Sequence, residues 1–256
     1  MSKGFLQEFQ FSVPVKTVEY DLTGKKPGLV IVDVVRGFCE PGCGLLAPPA
    51  PDEEIQKMVK LTNETARNFI GRVRPVLILA DTHIPGVPEP PYPPHCEKGS
   101  GQEELMPELK WLEKYAEGDL GIYSVQILRK DCINGFVGGL DLSGRKNEVR
   151  GWINTNVINT LIVVGICTDI CVLDLVVTLL SLRNHKSYGL SLVPFLEDIV
   201  VYVPACATYD LPRNIAESLL SLPPEAAHPR DIMNHMGLKI MSDRGAVLAH
   251  ELTFPV

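Results

Sequence analysis

The stretch Leu161-Ile-Val-Val-Gly-Ile-Cys167-Thr-Asp-Ile-Cys171-Val172 carries two thiols behind a continuous apolar run. Residues 161–164 predict a buried strand, and the mostly apolar residues 172–182 predict a buried helix. Cys167 and Cys171 then lie in the turn between strand and helix, with Cys171 in the first helical turn. Unpaired backbone N–H groups and the helix dipole favour a thiolate there, so Cys171 is a candidate nucleophile. The alternative is that both thiols are small core residues.

Two more apolar runs extend this pattern towards the N-terminus. Residues 28–32 and 75–80 are short, continuous and apolar, and each is followed by an aspartate, Asp33 and Asp81. This is typical of parallel strands that are buried on both faces. Residues 52–72 carry apolar side chains at helical spacing, which completes a strand–helix–strand unit.

The remaining patterns predict further strands and helices in alternation. Strands are expected at residues 122–128, 160–164, 199–203 and 237–241, and helices at 147–156, 172–182, 212–220 and 229–235. We find no domain boundary, and therefore expect one domain over residues 1–256, with its core at about 28–241. The predicted fold class is α/β, a three-layer sandwich with a central, mostly parallel sheet of about six strands.

Several reactive side chains follow predicted strands. Asp33, Asp81, Lys130 and the two thiols all come directly after a strand or close behind it. The carboxyl ends of parallel strands meet at one edge of a sheet, where ligands bind. The sequence therefore predicts an active site at that edge. Taken singly, Lys130 could be a solvated charge and Asp33 a capping residue.

A second group of side chains has the chemistry of metal ligands. Asp81 and His83 are two residues apart and lie on the same side of an extended backbone, and His95 ends the proline-rich loop of residues 85–94. Such a set with open positions suits a catalytic divalent ion, with zinc the first candidate and iron or manganese the alternatives. Glu89 in the same loop is a candidate fourth ligand. Taken alone, such residues more often lie at the surface or cap a helix than bind a metal.

Composition limits the classes of partner. The chain has 256 residues, a formal charge of −7 and no apolar run of 18 residues. This argues against a nucleic-acid or anionic-membrane surface and predicts a cytoplasmic protein with a small-molecule substrate. The seven cysteines are expected to be reduced thiols, because no secretory signal is recognisable.

Five elements occur in a specific order and spacing. They are Asp33, Asp81-Thr-His83, Tyr92-Pro-Pro-His-Cys96, Lys130 ahead of Asn134-Gly-Phe136, and Gly165-Ile-Cys-Thr-Asp-Ile-Cys171-Val172. With them the chain resembles the nicotinamidases of the isochorismatase-like cysteine hydrolase superfamily, and the plant-type enzymes in particular. The similarity extends from about residue 28 to residue 210.

The resemblance implies a hydrolase acting on carbon–nitrogen bonds of linear amides. It implies hydrolysis of nicotinamide to nicotinate and ammonia through a cysteine thioester, which feeds NAD salvage. Cys171 matches the nucleophile, Asp33 the general base and Lys130 the third catalytic residue. The backbone N–H groups of Cys167 and Cys171 would hold the oxyanion, and the peptide bond from Ile166 to Cys167 would be cis.

The resemblance also assigns the metal and the substrate ring. Asp81, His83 and His95 match metal ligands, and Glu89 falls near a fourth ligand found in some members. The metal would orient the pyridine nitrogen or activate water, and the sequence leaves both open. The aromatic positions expected around the ring are Phe38, Tyr92 and, behind them, Phe136.

Two features depart from this pattern, and other functions stay open. Arg36 and Gly37 stand where many members carry Gln and Asp, and the apolar residues 186–196 suggest a contact between subunits of a homo-oligomer. One alternative is a related cysteine amidohydrolase that acts on another small carboxamide and has no use for the metal set. Another is a non-enzymatic binding module. A vinyl-ether hydrolase is disfavoured because it needs no thiol.

Overall fold

The computed structural model describes residues 3–116, 125–187, 189–218 and 222–255. The strands of the described chain are β1 (Val18–Asp21), β2 (Pro27–Val32), β3 (Val76–Asp81), β4 (Val125–Lys130), β5 (Thr160–Ile166), β6 (Lys186–Ser187), β7 (Leu190–Ser191), β8 (Asp198–Ala207) and β9 (Val247–Thr253). Its α-helices are α1 (Lys3–Ser12), α2 (Arg36–Cys39), α3 (Glu53–Gly71), α4 (Glu113–Ala116), α5 (Glu148–Thr155), α6 (Cys171–Asn184), α7 (Arg213–Ser218) and α8 (Arg230–Asp243), with 3₁₀ turns at Pro107–Leu112 and Pro224–Ala226.

Seven strands form one sheet in the order β1-β9-β8-β5-β2-β3-β4, and every neighbouring pair is parallel. The predicted count of about six is thus one short. The short strands β6 and β7 form a separate antiparallel pair. Because β5, β2, β3 and β4 are consecutive neighbours, the residues that follow them are brought to one stretch of the sheet edge.

The sheet is covered by helices on both faces. On β2, Leu29 and Ile31 pack into one apolar cluster with α3, whereas Val30 and Val32 pack into a second cluster with α5, α6 and α8. All four side chains are fully buried. This explains why the central strands read as unbroken apolar runs, since neither face of the sheet is left to water.

Local signals fix where helices begin. The Asp52 side chain accepts hydrogen bonds from the first-turn amides of α3, and Asn147 does the same for α5. Helix α6 begins at Cys171 with no side-chain cap. Its first turn therefore keeps backbone donors that a cap would otherwise occupy.

Most predicted elements are found, and the differences lie at the ends of the chain. The strand predicted at 237–241 is wrong, because these residues continue α8. Leu238 and Met241, three residues apart, are both buried, as one helix face requires. The last strand is β9, and β1 was not predicted, so the sheet reaches beyond residues 28–241 on both sides.

Some predictions fall outside the described residues. Residues 122–124 of the strand expected at 122–128, and residues 219 and 220 of the helix expected at 212–220, are among them. The apolar segment 186–196 contains β6 and β7, and Leu190, Leu192 and Phe195 are exposed there. The homo-oligomer stays a prediction. None of the described helices has the length and apolarity to cross a membrane.

Candidate active site

Four neighbouring strands end at the predicted reactive residues. Asp33 directly follows β2, Asp81 ends β3, Lys130 ends β4, and Cys167 directly follows β5. Cys171 begins α6 after a short turn. The convergence predicted from strand ends is therefore found in the folded chain.

The backbone is unusual where β2 and β5 end. Asp33 has a φ of 52°, a left-handed conformation that Asp tolerates better than most residues, and its N–H donates to the Leu79 carbonyl at 2.9 Å. Gly165 has a φ of 126°, and a Cβ atom there would lie 2.0 Å from the Val32 carbonyl oxygen. Only glycine allows the two backbones to approach this closely just before the reactive residues.

Lys130 is the buried cation of the site. Its Nζ lies 2.9 Å from Asp33 Oδ2 and 2.8 Å from Asp81 Oδ1, and it donates to the Cys132 carbonyl at 3.0 Å. The ammonium group thus donates hydrogen bonds to Asp81 and Cys132 and forms an ion pair with Asp33, so its buried charge is compensated. Oδ1 of Asp33 is buried and accepts no hydrogen bond from the described residues, so it is available to take a proton.

Burial dominates the electrostatics of Asp33 and Cys171. Burial raises the pKa of Asp33 to about 6, although Lys130 opposes the shift. Burial also raises the pKa of the Cys171 thiol well above its usual value, again against Lys130. At neutral pH the resting pair is therefore a carboxylate and a thiol. Burial thus acts against the thiolate that the start of the helix would favour, so that a proton acceptor is needed.

The turn between β5 and α6 presents free backbone donors. The peptide bond from Ile166 to Cys167 is cis, as the resemblance implies. The Cys167 carbonyl accepts from the amides of Ile170 and Val172, each at 3.1 Å. The N–H groups of Cys167 and Cys171 donate no hydrogen bond to any described residue. Two such donors beside a thiol are the kind of backbone groups that bind an oxyanion.

Asp81, His83 and His95 form the candidate metal centre. All three are buried, and one ligand atom from each lies within 4.8 Å of the others. Asp81 Oδ2 is 3.0 Å from His83 Nε2 and 3.3 Å from His95 Nε2. Oδ2 of Asp81 and Nε2 of His83 are nevertheless in no hydrogen bond among the described residues. A divalent cation would satisfy both atoms, so the residues fit the predicted metal.

Hydrogen bonding orients the histidine ligands. Nδ1 of His95 lies 2.7 Å from the Pro93 carbonyl. A carbonyl only accepts, so the proton is on Nδ1 and the lone pair of Nε2 is directed at the cluster. The backbone N–H of His83 donates to the Cys96 carbonyl at 3.0 Å, which returns the proline-rich loop to the sheet beside His83.

Glu89 lies beside the same cluster. Its Oε2 is 3.6 Å from Nε2 of both His83 and His95, and its Oε1 accepts from the Ile133 N–H at 2.8 Å. The second interaction fixes the carboxylate in place. Glu89 thus lies at the edge of the cluster, outside the three residues whose ligand atoms lie within 4.8 Å of one another.

Two of the three predicted aromatic residues border the metal cluster. The rings of Phe38 and Tyr92 have centroids 5.6 Å and 6.1 Å from that of His95, and both side chains are partly exposed. Phe136 instead packs against the apolar cluster beneath α6. None of the ring contacts recorded among the described residues joins Phe136 to the other two.

Two further residues, His228 and Tyr209, lie beside Asp169 in the turn of residues 167–171, and none of the three was predicted as a site residue. His228 Nε2 is 2.8 Å from Asp169 Oδ2, and the Tyr209 ring stacks on the His228 ring with centroids 3.9 Å apart. Asp169 stands between the two thiols and was visible in the sequence. His228 lies 59 residues further along the chain, and no local pattern links it to this turn.

Comparisons with known proteins identify the family. An isochorismatase domain matches residues 27–185. Nicotinamidase 1 of Arabidopsis thaliana is 45% identical over 227 residues, which cover 89% of this chain and 86% of that protein.

Solved structures share the fold at lower identity. A nicotinamidase from Bacillus subtilis is 21% identical with a TM-score of 0.61, and the match covers 88% of this chain and 100% of that one. A pyrazinamidase of Pyrococcus horikoshii in complex with zinc is 18% identical with a TM-score of 0.54, over 87% and 98% of the two chains. Taken with the domain match and the plant relative, these findings show that the chain belongs to the isochorismatase family.

Proposed function

We propose that the protein is a nicotinamidase, which hydrolyses nicotinamide to nicotinate and ammonia. The observation that carries the proposal is the shared lysine: Lys130 contacts both Asp33, beside the thiol, and Asp81, in the metal cluster. A cysteine amidase that did not recognise a metal-binding substrate would have no use for the contact between Lys130 and Asp81 or for the metal cluster. The 45% identity to a plant nicotinamidase supports the same activity.

The first half-reaction forms a thioester. Asp33 takes the thiol proton of Cys171 as the sulfur adds to the carboxamide carbon, and the carbonyl π-electrons move onto oxygen. The oxyanion accepts hydrogen bonds from the N–H groups of Cys167 and Cys171. When the oxyanion collapses, the C–N bond breaks and Asp33 gives its proton to the leaving nitrogen, which departs as ammonia.

The second half-reaction releases nicotinate. Asp33, again a carboxylate, takes a proton from water as the water oxygen adds to the thioester carbon. The C–S bond then breaks, and the sulfur recovers its proton from Asp33. Lys130 remains an ammonium ion throughout, since burial alone would lower its pKa but Asp33 and the other anionic partners hold it well above its usual value.

We propose that Asp81, His83 and His95, with Glu89 as an additional donor, hold one divalent cation, zinc first and iron or manganese as alternatives. Such a cation would supply a Lewis acid for the pyridine nitrogen, and the residues that hold it would thereby fix the ring in the site. Phe38 and Tyr92 border the cluster and suit the faces of a planar aromatic ring. The burial and unpaired atoms of the cluster support this assignment.

Ammonia release from nicotinamide tests the proposal. The intact protein is expected to release ammonia, and Cys171→Ala is expected to lose the activity. Cys167→Ala is the matched control, because it removes a thiol from the same turn and leaves the backbone N–H in place. An active Cys171→Ala protein would refute the mechanism. Turnover of another small carboxamide with none of nicotinamide would make the protein a related amidohydrolase.

The partners follow from the substrate. Nicotinamide is the proposed small-molecule partner, and no nucleic acid or membrane is part of the proposal. The cytoplasmic location inferred from the composition stays a prediction.

A further inference from the structure

We propose that His228 is a positioning residue of the active site, which holds the oxyanion turn through Asp169. The turn of residues 167–171 carries both proposed oxyanion donors. Its ends are set by β5 and α6, while Asp169 is its midpoint. This inference rests on the proposed amide hydrolysis and adds residues to it that the catalytic motifs do not contain.

The contact between Asp169 and His228 is buried and short. Their side chains are 5% and 8% exposed, and Nε2 of His228 lies 2.8 Å from Oδ2 of Asp169. Nδ1 of His228 lies 3.1 Å from the carbonyl of Tyr209. Both partners are acceptors, so an imidazolium ring donates to both, whereas a neutral ring donates to only one.

Asp169 is the charged acceptor of this contact. Burial opposes ionisation, but the hydrogen bond from His228 holds the pKa of Asp169 below its usual value. Charge-assisted hydrogen bonds of this kind are stronger than neutral ones and fix the direction of both groups. The pair therefore orients Asp169 rather than merely filling space.

Residues at the end of β8 and directly after it contact the rest of the turn. The N–H of Thr168 donates to the Ala207 carbonyl at 2.9 Å. Burial raises the pKa of the Cys167 thiol to about 12, and the Tyr209 N–H opposes this shift. Cys167 is therefore a protonated thiol, which suits a residue that acts through its backbone.

Helix α8 packs tightly against the backbone of Asp169. A Cβ atom on Gly237 would lie 2.8 Å from the Asp169 Cα atom. The turn is thus enclosed between the sheet, His228 and α8, with no room to move towards the helix. Loss of the His228 contact would free Asp169 on one side only, which changes the direction of the neighbouring N–H groups.

The consequence is specific to the transition state. Oxyanion donors act on charge that is absent from the bound amide, so misplacing them lowers kcat and leaves KM nearly unchanged. A positional error of about 1 Å costs roughly 100-fold in rate. The thiol and Asp33 lie outside the His228 contact, so the reactivity of Cys171 itself is expected to persist.

The test uses the metal-loaded protein and the variants His228→Gln, Asp169→Asn and their combination. We expect kcat for nicotinamide to fall by about 100-fold in each, with the double variant no worse than either single one, because the two residues act as one unit. Binding of pyridine-3-carbaldehyde, whose thiol adduct carries the same oxyanion, should weaken in parallel. Iodoacetamide should alkylate Cys171 in these variants at the same rate as in the intact protein.

His235→Gln is the matched control. His235 lies on α8 and its Nε2 contacts the Val13 carbonyl at 2.6 Å, away from the turn. The substitution His235→Gln should leave kcat unchanged. The proposal is overturned if His228→Gln keeps its kcat, or if kcat and the alkylation rate fall together as in general disruption of the site.

Hydrogen exchange separates this proposal from the nicotinamidase assignment. The backbone N–H groups of residues 167–171 should exchange faster in His228→Gln than in His235→Gln. This difference does not depend on which carboxamide the enzyme hydrolyses. If the intact protein fails to hydrolyse nicotinamide but this difference is present, the positioning role stands and the substrate assignment fails. Equal exchange in the two variants overturns the positioning role.

Discussion

At the scale of single residues, Lys130 connects the two halves of the site. It is fully buried between Asp33 and Asp81, and Asp81 turns its other oxygen towards His83 and His95. Without a cation between them, two buried carboxylates would raise each other's pKa. The lysine thus sets the ionisation of the base and of one proposed metal ligand together.

Replacing Lys130 by Met tests this dependence. We expect a loss of about 3–5 kcal/mol in the free energy of unfolding, because two buried carboxylates are left without a counter-charge. Turnover should fall about a thousandfold, since Asp33 becomes a poorer proton acceptor at neutral pH. Urea unfolding and ammonia release measure the two effects.

The control for that substitution is Lys110→Met. Lys110 also pairs with a glutamate, at 2.7 Å, but both side chains are more than a third exposed. It should change stability by less than about 1 kcal/mol. Equal losses in the two variants would mean that burial of the Lys130 pair is unimportant.

The pKa of Asp33 predicts how activity depends on pH. Burial raises this pKa to about 6, and the base must be ionised to take the thiol proton. The value of kcat/KM should therefore fall as the pH drops below about 6 and level off above it. Alkylation of Cys171 by iodoacetamide should show the same acid limb, although no substrate is present. An alkylation rate that is flat from pH 5 to pH 8 would exclude Asp33 as the base.

Some site residues could be predicted from sequence and others could not, for a physical reason. Asp33, Asp81 and Lys130 each follow an apolar strand, and parallel topology brings strand ends together without further information. His228 and Tyr209 reach the catalytic turn only through the path of the C-terminal segment. The raised pKa of the Cys171 thiol could not be predicted either, because desolvation depends on burial that a helix-start pattern does not contain.

At the scale of elements, the junction of β2 and β5 determines the position of the site. Both strands end in reactive residues, and their backbones are in direct contact at Gly165. Central strands of this kind are recognisable because both of their faces are buried. The edge strand β1 alternates between partly exposed and exposed residues, and β9 is buried in its first half only, so neither presents a long apolar run.

Gly165→Ala should therefore disrupt the site, because it separates the ends of β2 and β5. The added Cβ would meet the Val32 carbonyl oxygen at 2.0 Å, and backbone cannot rotate away as a side chain can. We expect a loss of about 3 kcal/mol in stability and of most turnover, because Asp33 and Cys167 lie just beyond the contact. Thermal unfolding and ammonia release provide the measurements.

Gly151→Ala is the matched control for that change. Gly151 lies within α5, and a Cβ there would meet nothing within 4 Å. Alanine should stabilise the helix by about 0.5–1 kcal/mol without affecting turnover. If Gly165→Ala behaves like Gly151→Ala, the close approach of β2 and β5 is not a constraint.

At the scale of the whole molecule, the metal cluster joins segments that are otherwise distant. Asp81 ends a central strand, while His95 and Glu89 belong to the proline-rich loop, and Lys130 extends the contacts to β4. Ligand atoms that are assembled only in the folded chain make metal binding a contribution to folding. Stability, metal content and activity should therefore change together.

Removal of the metal is the corresponding prediction. The purified protein should hold one divalent ion per chain, and a chelator should abolish turnover of nicotinamide and lower Tm. A free metal concentration 100-fold above Kd contributes about 2.7 kcal/mol to stability, enough for a clear shift. His83→Ala and His95→Ala should lose the ion and the chelator-sensitive part of Tm, whereas His250→Ala, at an exposed position on β9, should keep both. Turnover that survives complete removal of the metal would exclude His83 and His95 from the site, because the ring would then be oriented without them.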